Sequence, residues 1–125
     1  MKFQVLFIVL GAGLLAACSA ASAVQPTPTL NALEIQGKQV YVSNCAGCHA
    51  LEPDTIVIGP SLAGVGTRAD TRVDGYDARA YIETSILNPG AYIVEGFNDV
   101  MPKNFGKDLT SADFDAVVAY LLSLK

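Results

Sequence analysis

Histidine is nearly absent from this 125-residue chain. It occurs once, at His49, and tryptophan does not occur at all. A metal site built on several histidines is excluded, and a catalytic triad would have to use His49. Methionine is almost as scarce, with Met1 and Met101 alone. Basic residues are few: 8 Lys and Arg stand against 12 Asp and Glu, a net charge of −4, with no basic run. That balance excludes nucleic acid as an expected partner. Charged residues make up only 16% and hydrophobic residues 51%, so the composition is not that of a disordered tail. No period-two strand pattern and no internal repeat is visible.

The longest apolar run lies at the front. Lys2 precedes Val5–Ala17, which carries no charge. Thirteen residues fall short of the ~20 that span a bilayer as a helix, and they suit the apolar region of an export signal. Leu15-Ala16-Ala17-Cys18 resembles the lipobox of bacterial lipoproteins, in which the cysteine carries the lipid after cleavage. Residues 1–17 are therefore expected to be a signal peptide and Cys18 the lipidation site. The protein would then sit on the outer, extracytoplasmic face of a bacterial membrane. Two other readings stay open: an uncleaved anchor lengthened by Ser19–Val24, and plain secretion. Pro26 and Pro28 stiffen a tether over residues 18–29. The folded domain is expected over 30–125, which is long enough for one core.

Three main helices are expected, an all-α pattern. The first runs from Asn31 to about Ser43, with Asn31 and Glu34 as a capping box. Leu33, Gly37, Val40 and Tyr41 share one face of it, and Gly37 there implies a close neighbour. The second spans about Ala78–Leu87, capped by Asp77 and stopped by Pro89. The last follows Thr110 and Asp113, with Phe114, Val117, Val118, Leu121 and Leu124 as its stripe. Between the first two lies a stretch broken by Pro53, Gly59, Pro60, Gly64, Gly66 and Gly75. Only Ser61–Val65 there looks able to make a short helical turn. So long an irregular stretch points to function, with something other than protein completing the core.

Cys45-Ala46-Gly47-Cys48-His49 carries the chemistry. Cys-x-x-Cys-His is the attachment signature of c-type haem. Two thiols three residues apart can add to the two vinyl groups of one macrocycle, and the next residue, His49, can reach its iron. Ala46 and Gly47 leave room for the ring. Other readings are a thioredoxin-like dithiol, a zinc site and a plain disulfide. The first lacks a βαβ context. The second lacks four ligands. The third leaves His49 without a role. Haem iron has a second axial position, and with no other histidine Met101 is the ligand by elimination once Met1 is removed with the signal. Pro102 holds Met101 in extended backbone, as suits a ligand presented from a loop. As core filler, Met101 would leave the iron five-coordinate or bound by a lysine.

Taken in order, Gly37, Tyr41, Cys45-Ala-Gly-Cys48-His49, Gly59-Pro60-Ser61-Leu62-Ala63-Gly64, Met101-Pro102 and Tyr120 resemble the class I cytochromes c over about Leu33–Leu124. The resemblance implies the class I cytochrome c fold, with helices and loops wrapped around one covalent haem c. It implies that Gly37 and Tyr41 cross the last helix near Val117 and Tyr120. It also implies that the Pro60 carbonyl accepts a hydrogen bond from His49 Nδ1, that Leu62 packs on the ring, and that Arg68 pairs with a propionate. Tyr92 and Phe97 would line the methionine side. Residues 85–102 are similar to the cytochrome c domain of subunit II of some haem–copper oxidases. Lipoprotein relatives occur in alternative complex III, a quinol oxidiser. The fused type has a copper-binding domain before the haem domain, and residues 1–29 are too short to contain one.

The implied function is single-electron transfer between respiratory or photosynthetic partners, as a shuttle for a membrane complex or as a subunit of one. That complex would be a quinol-oxidising assembly or a terminal oxidase. The implied protein is a carrier and not an enzyme. A gas sensor or small peroxidase with a displaceable Met101 is the alternative. Lys103 and Lys107 near Met101 offer either a cationic docking spot or plain solvated loop lysines. Intact mass of the protein from its native membrane tests the leader reading. The expected mass is residues 18–125 plus one haem and acyl chains, while a full-length mass plus haem would replace the lipid with an apolar helix.

Overall fold

The computed structural model describes residues 29–125; the expected signal peptide, Cys18 and most of the expected tether lie outside them. Within these residues α1 spans Ala32–Asn44, α2 Val65–Arg68, α3 Ala78–Leu87, α4 Phe105–Asp108 and α5 Ser111–Ser123. Single 3-10 turns occupy Ala69–Thr71 and Pro89–Ala91. Among the described residues there is no β-sheet, only an isolated bridge between His49 and Ile56. No helix among them is long and apolar enough to cross a membrane.

Local chemistry sets the ends of the three long helices. At α1, Asn31 Oδ1 accepts from Glu34 N at 3.0 Å and Glu34 Oε2 accepts from Asn31 N at 2.8 Å. These two bonds satisfy donors that a helix start leaves orphaned. Asp77 caps α3 through Ala80 N at 2.7 Å, and Thr110 caps α5 through Asp113 N at 3.1 Å. Asn88 ends α3, and Pro89 after it cannot continue the helix.

α1 and α5 cross at Gly37. A Cβ placed there would lie 1.9 Å from the carbonyl oxygen of Ala116, so the two backbones touch in a way only glycine permits. One turn on, the Tyr41 and Tyr120 rings pack at 5.7 Å between centroids. The core spreads from this crossing to Val40, Val117, Val118 and Leu121, then to Val65, Ala69, Tyr81, Ile82 and Ile86. Gly66 makes a second close approach, where a Cβ would fall 2.3 Å from the Leu122 carbonyl oxygen. Gly66 N donates to Leu124 O at 2.8 Å and Lys125 Nζ donates to Gly66 O at 3.0 Å, tying α2 to the end of α5.

Two expectations need correction. The short helix begins at Val65 and not at Ser61. Gly64 takes φ 64, a left-handed turn that ends the loop and starts the helix, while Ser61 Oγ accepts from Ala63 N at 3.1 Å and holds the preceding residues in a turn. Leu33 is 45% exposed despite sharing the face of Gly37 and Tyr41, because burial on α1 begins only at the crossing. α4 was not expected from the sequence.

The crossing makes a test. Gly37→Ala gains about 1 kcal/mol of helix propensity, yet its methyl group cannot fit against Ala116. The expected outcome is a net loss of about 1–3 kcal/mol in denaturant unfolding of the holoprotein; a stabilised variant would contradict the observed contact.

Candidate haem site

The site grows out of the end of α1. Cys45 N and Ala46 N both donate to Tyr41 O, at 2.8 and 3.0 Å. Cys48 N and His49 N then both donate to Cys45 O, at 3.0 and 2.9 Å. These paired bonds curl residues 45–49 into a tight turn without helical continuation. Tyr41 Oη donates to His49 O at 2.5 Å, so a core side chain fixes the backbone of the histidine.

The His49 ring is fixed in turn by the next loop. Its Nδ1 lies 2.8 Å from Pro60 O. A carbonyl can only accept, so the ring proton belongs on Nδ1. The lone pair is thereby left on Nε2, the atom available to a metal. Gly59 lies against the imidazole, and a Cβ at Gly59 would fall 2.4 Å from His49 Cε1. Ile58 N and Gly59 N both donate to Cys48 O, at 3.2 and 2.9 Å, closing this loop onto the cysteine.

One large cleft collects the residues singled out in the sequence: Cys45, Cys48, His49, Pro60, Leu62, Arg68, Tyr92, Phe97 and Met101 all line it. Cys18 lies outside the described residues. The Arg68 guanidinium is half-buried and donates to the carbonyls of Ser61 and Ala63. Burial lowers its pKa, and nearby Arg72 lowers it further. Tyr92 meets Tyr81 edge-on at 5.8 Å. Lys103 is not a free cation, since its Nζ donates to Asp99 Oδ2 at 2.6 Å across the Met101 turn.

Sequence reasoning missed several members of this wall. Arg72, Val65, Tyr81, Ile82, Ile86 and Leu121 also line the cleft. The apolar stripe of α5 was readable, but the cavity that α3 and α5 share was not.

The donor set fits haem c. Cys45 and Cys48 are free thiols. Burial, and then Cys48, push the Cys45 thiol up to about 11, which opposes the low pKa that a redox-active dithiol needs. Among the described residues no three His, Cys, Asp or Glu side chains form a metal-holding group. A histidine with a bare Nε2 shares the cleft with a thioether and with many apolar side chains. That is the environment a large, flat, mostly apolar macrocycle with one iron requires.

Comparison with known proteins agrees. The cytochrome c family model matches residues 35–125. A curated relative, cytochrome c oxidase subunit 2 of Alkalihalophilus pseudofirmus, is 33% identical over 106 residues. That match takes in 81% of this chain but only 28% of the relative. Among solved structures, cytochrome c from Rhodothermus marinus is similar at 25% identity and TM-score 0.42, covering 76% of this chain and 83% of that one. An engineered form of the Rhodothermus protein gives 24% identity and TM-score 0.45, covering 76% and 84%.

The contact beneath the imidazole sets up a second test. Gly59→Ala is expected to push the His49 ring by about 1 Å to restore ordinary contact from 2.4 Å, loosening its bond to Pro60. The Nδ1 proton resonance should exchange slowly with solvent in the parent and quickly in the variant; equal exchange would show that Gly59 does not seat the ring. With its cysteine pair, its oriented histidine and a family match over 35–125, the chain belongs to the cytochrome c family and its cofactor is haem c.

Proposed function

We propose that this chain is a membrane-tethered one-electron carrier serving a quinol-oxidising complex or a terminal oxidase. Electron transfer itself follows from membership of the cytochrome c family. The site residues, the tether and the partner complex belong to the proposal. The observation that carries it is the His49 ring, with its proton held toward Pro60 and Nε2 left bare in the cleft that Met101 shares.

Haem c, when bound, supplies a one-electron ferric–ferrous couple, whose potential a Met/His ligand pair raises. The chain supplies position and environment. Cys45 and Cys48 would hold the macrocycle by thioether bonds. His49 and Met101 would be the ligands of its iron. Pro60, Gly59 and Tyr41 keep the histidine in one orientation, so little has to move when the charge changes. Apolar walls from α3, α5 and the Met101 loop exclude water. Arg68 and Arg72 place positive charge on the wall of the cleft, suited to an anionic edge of the cofactor.

The tether rests on Leu15-Ala16-Ala17-Cys18 and the proline-bearing segment after it. Support for the partner class comes from the oxidase subunit 2 relative. The chain spans 28% of that protein, so this support concerns the domain and not the rest of the oxidase subunit.

Met101→Ala is expected to lower the reduction potential in a potentiometric titration and to let carbon monoxide bind the reduced protein. An unchanged potential would remove Met101 as ligand, and rapid carbon monoxide uptake by the parent at neutral pH would favour a sensor. Cys45→Ala or Cys48→Ala is expected to cut the yield of haem-bearing protein, read from a haem-stained gel; equal yields would contradict thioether attachment at these two residues.

A further inference from the structure

The loop after His49 carries a surface that the cleft does not use. Ile56, Val57 and Ile58 are consecutive and are 69%, 53% and 55% exposed. Ile58 joins the cleft wall, but Ile56 and Val57 do not. A run of exposed branched aliphatic residues is out of place on a soluble surface unless something covers it.

The run is held in place. Ile58 N donates to Cys48 O, Ile56 bridges antiparallel to His49, and Ser61 Oγ donates to Glu52 O at 2.7 Å. The knob is thus tied by backbone bonds to the residues placed at the haem, and it is preorganised for contact. Its charge is also one-sided. From Gln39 to Thr67 the sequence has no lysine or arginine, while Glu52 and Asp54 stand just before the knob. Both are exposed. Near Met101, by contrast, Lys103 pairs with Asp99 and Lys107 is exposed.

We propose that Ile56 and Val57, rimmed by Glu52 and Asp54, are the docking face for the protein that exchanges electrons with this chain, and that this partner presents an apolar patch rimmed by lysine or arginine. The proposal rests on the electron-carrier reading. Apolar contact supplies the affinity of a small, transient interface, and the carboxylates steer the approach of a basic rim. The knob's bonds to Cys48 and His49 place such a partner beside the covalent edge of the site.

The test uses full-length holoprotein in three settings: native membranes from a strain lacking its own copy, protein-free vesicles of the same lipids, and detergent. Residues 52–58 are expected to be protected from hydrogen exchange in native membranes alone. The double variant Ile56→Ser with Val57→Ser is expected to slow electron exchange with those membranes by about tenfold. Glu52→Gln with Asp54→Asn should slow it at low salt and flatten its fall with rising salt. Reduction by hexaammineruthenium, a small complex that needs no docking face, should be unchanged in both. Its failure in the parent would strike the carrier reading itself. Protection in the protein-free vesicles would assign the knob to lipid, and protection in detergent that grows with protein concentration would assign it to a second copy. Either result overturns the proposal, as do parental membrane rates in both double variants.

Discussion

Everything at the site depends on the crossing of α1 over α5. Gly37 lets the two backbones touch, and a side chain there would meet the Ala116 carbonyl at 1.9 Å. That contact sets Tyr41 against Tyr120 one turn later. Tyr41 then reaches past the end of α1 and donates to the backbone of His49. Residues 45–49 therefore hang from the crossing by a side chain as well as by the chain itself. The other end of α5 holds α2 through the Gly66 contact, and α2 carries Val65 and Arg68 to the same cleft. One helix thus positions two walls of the site through two glycines.

The core that protein side chains make among themselves is small. Among the described residues the largest fully buried side chains are only Val117 and Val118. Tyr92, Ile93 and Val100 line the cleft yet are 38%, 44% and 61% exposed by protein atoms alone. A bound macrocycle would complete the apolar interior that they begin, so cofactor attachment and folding draw on the same burial. This is why so small a domain can leave the long stretch between α1 and α2 without regular helix. The loop does not need a protein layer to cover it, because its inner side faces the cleft.

Charge is arranged unevenly around that cleft. The segment from Gln39 to Thr67 carries carboxylates and no lysine or arginine, while Arg68 and Arg72 are drawn into the cleft wall. The Arg68 guanidinium is held there by the carbonyls of Ser61 and Ala63. Lys103 pairs with Asp99 across the Met101 turn. The outer face near Cys48 and His49 is left apolar with an acidic rim, which suits a basic partner.

Much of this was legible in residue order. Caps at Asn31, Asp77 and Thr110 and the stop at Pro89 are contacts within a few residues, so local chemistry determined where α1, α3 and α5 begin or end. The Cys45–Cys48–His49 spacing is local too, and a single histidine and a single internal methionine left few choices of ligand. What the sequence could not decide involves partners far apart along the chain. That Leu33 stays exposed depends on where α5 crosses. That Tyr41 reaches His49 depends on how the chain turns after Cys45. That Arg72 and Tyr81 share a cavity with Met101 depends on loops folding back across the site. Short-range hydrogen bonds are written in the order of residues, whereas burial and long-range pairing are properties of the packed whole.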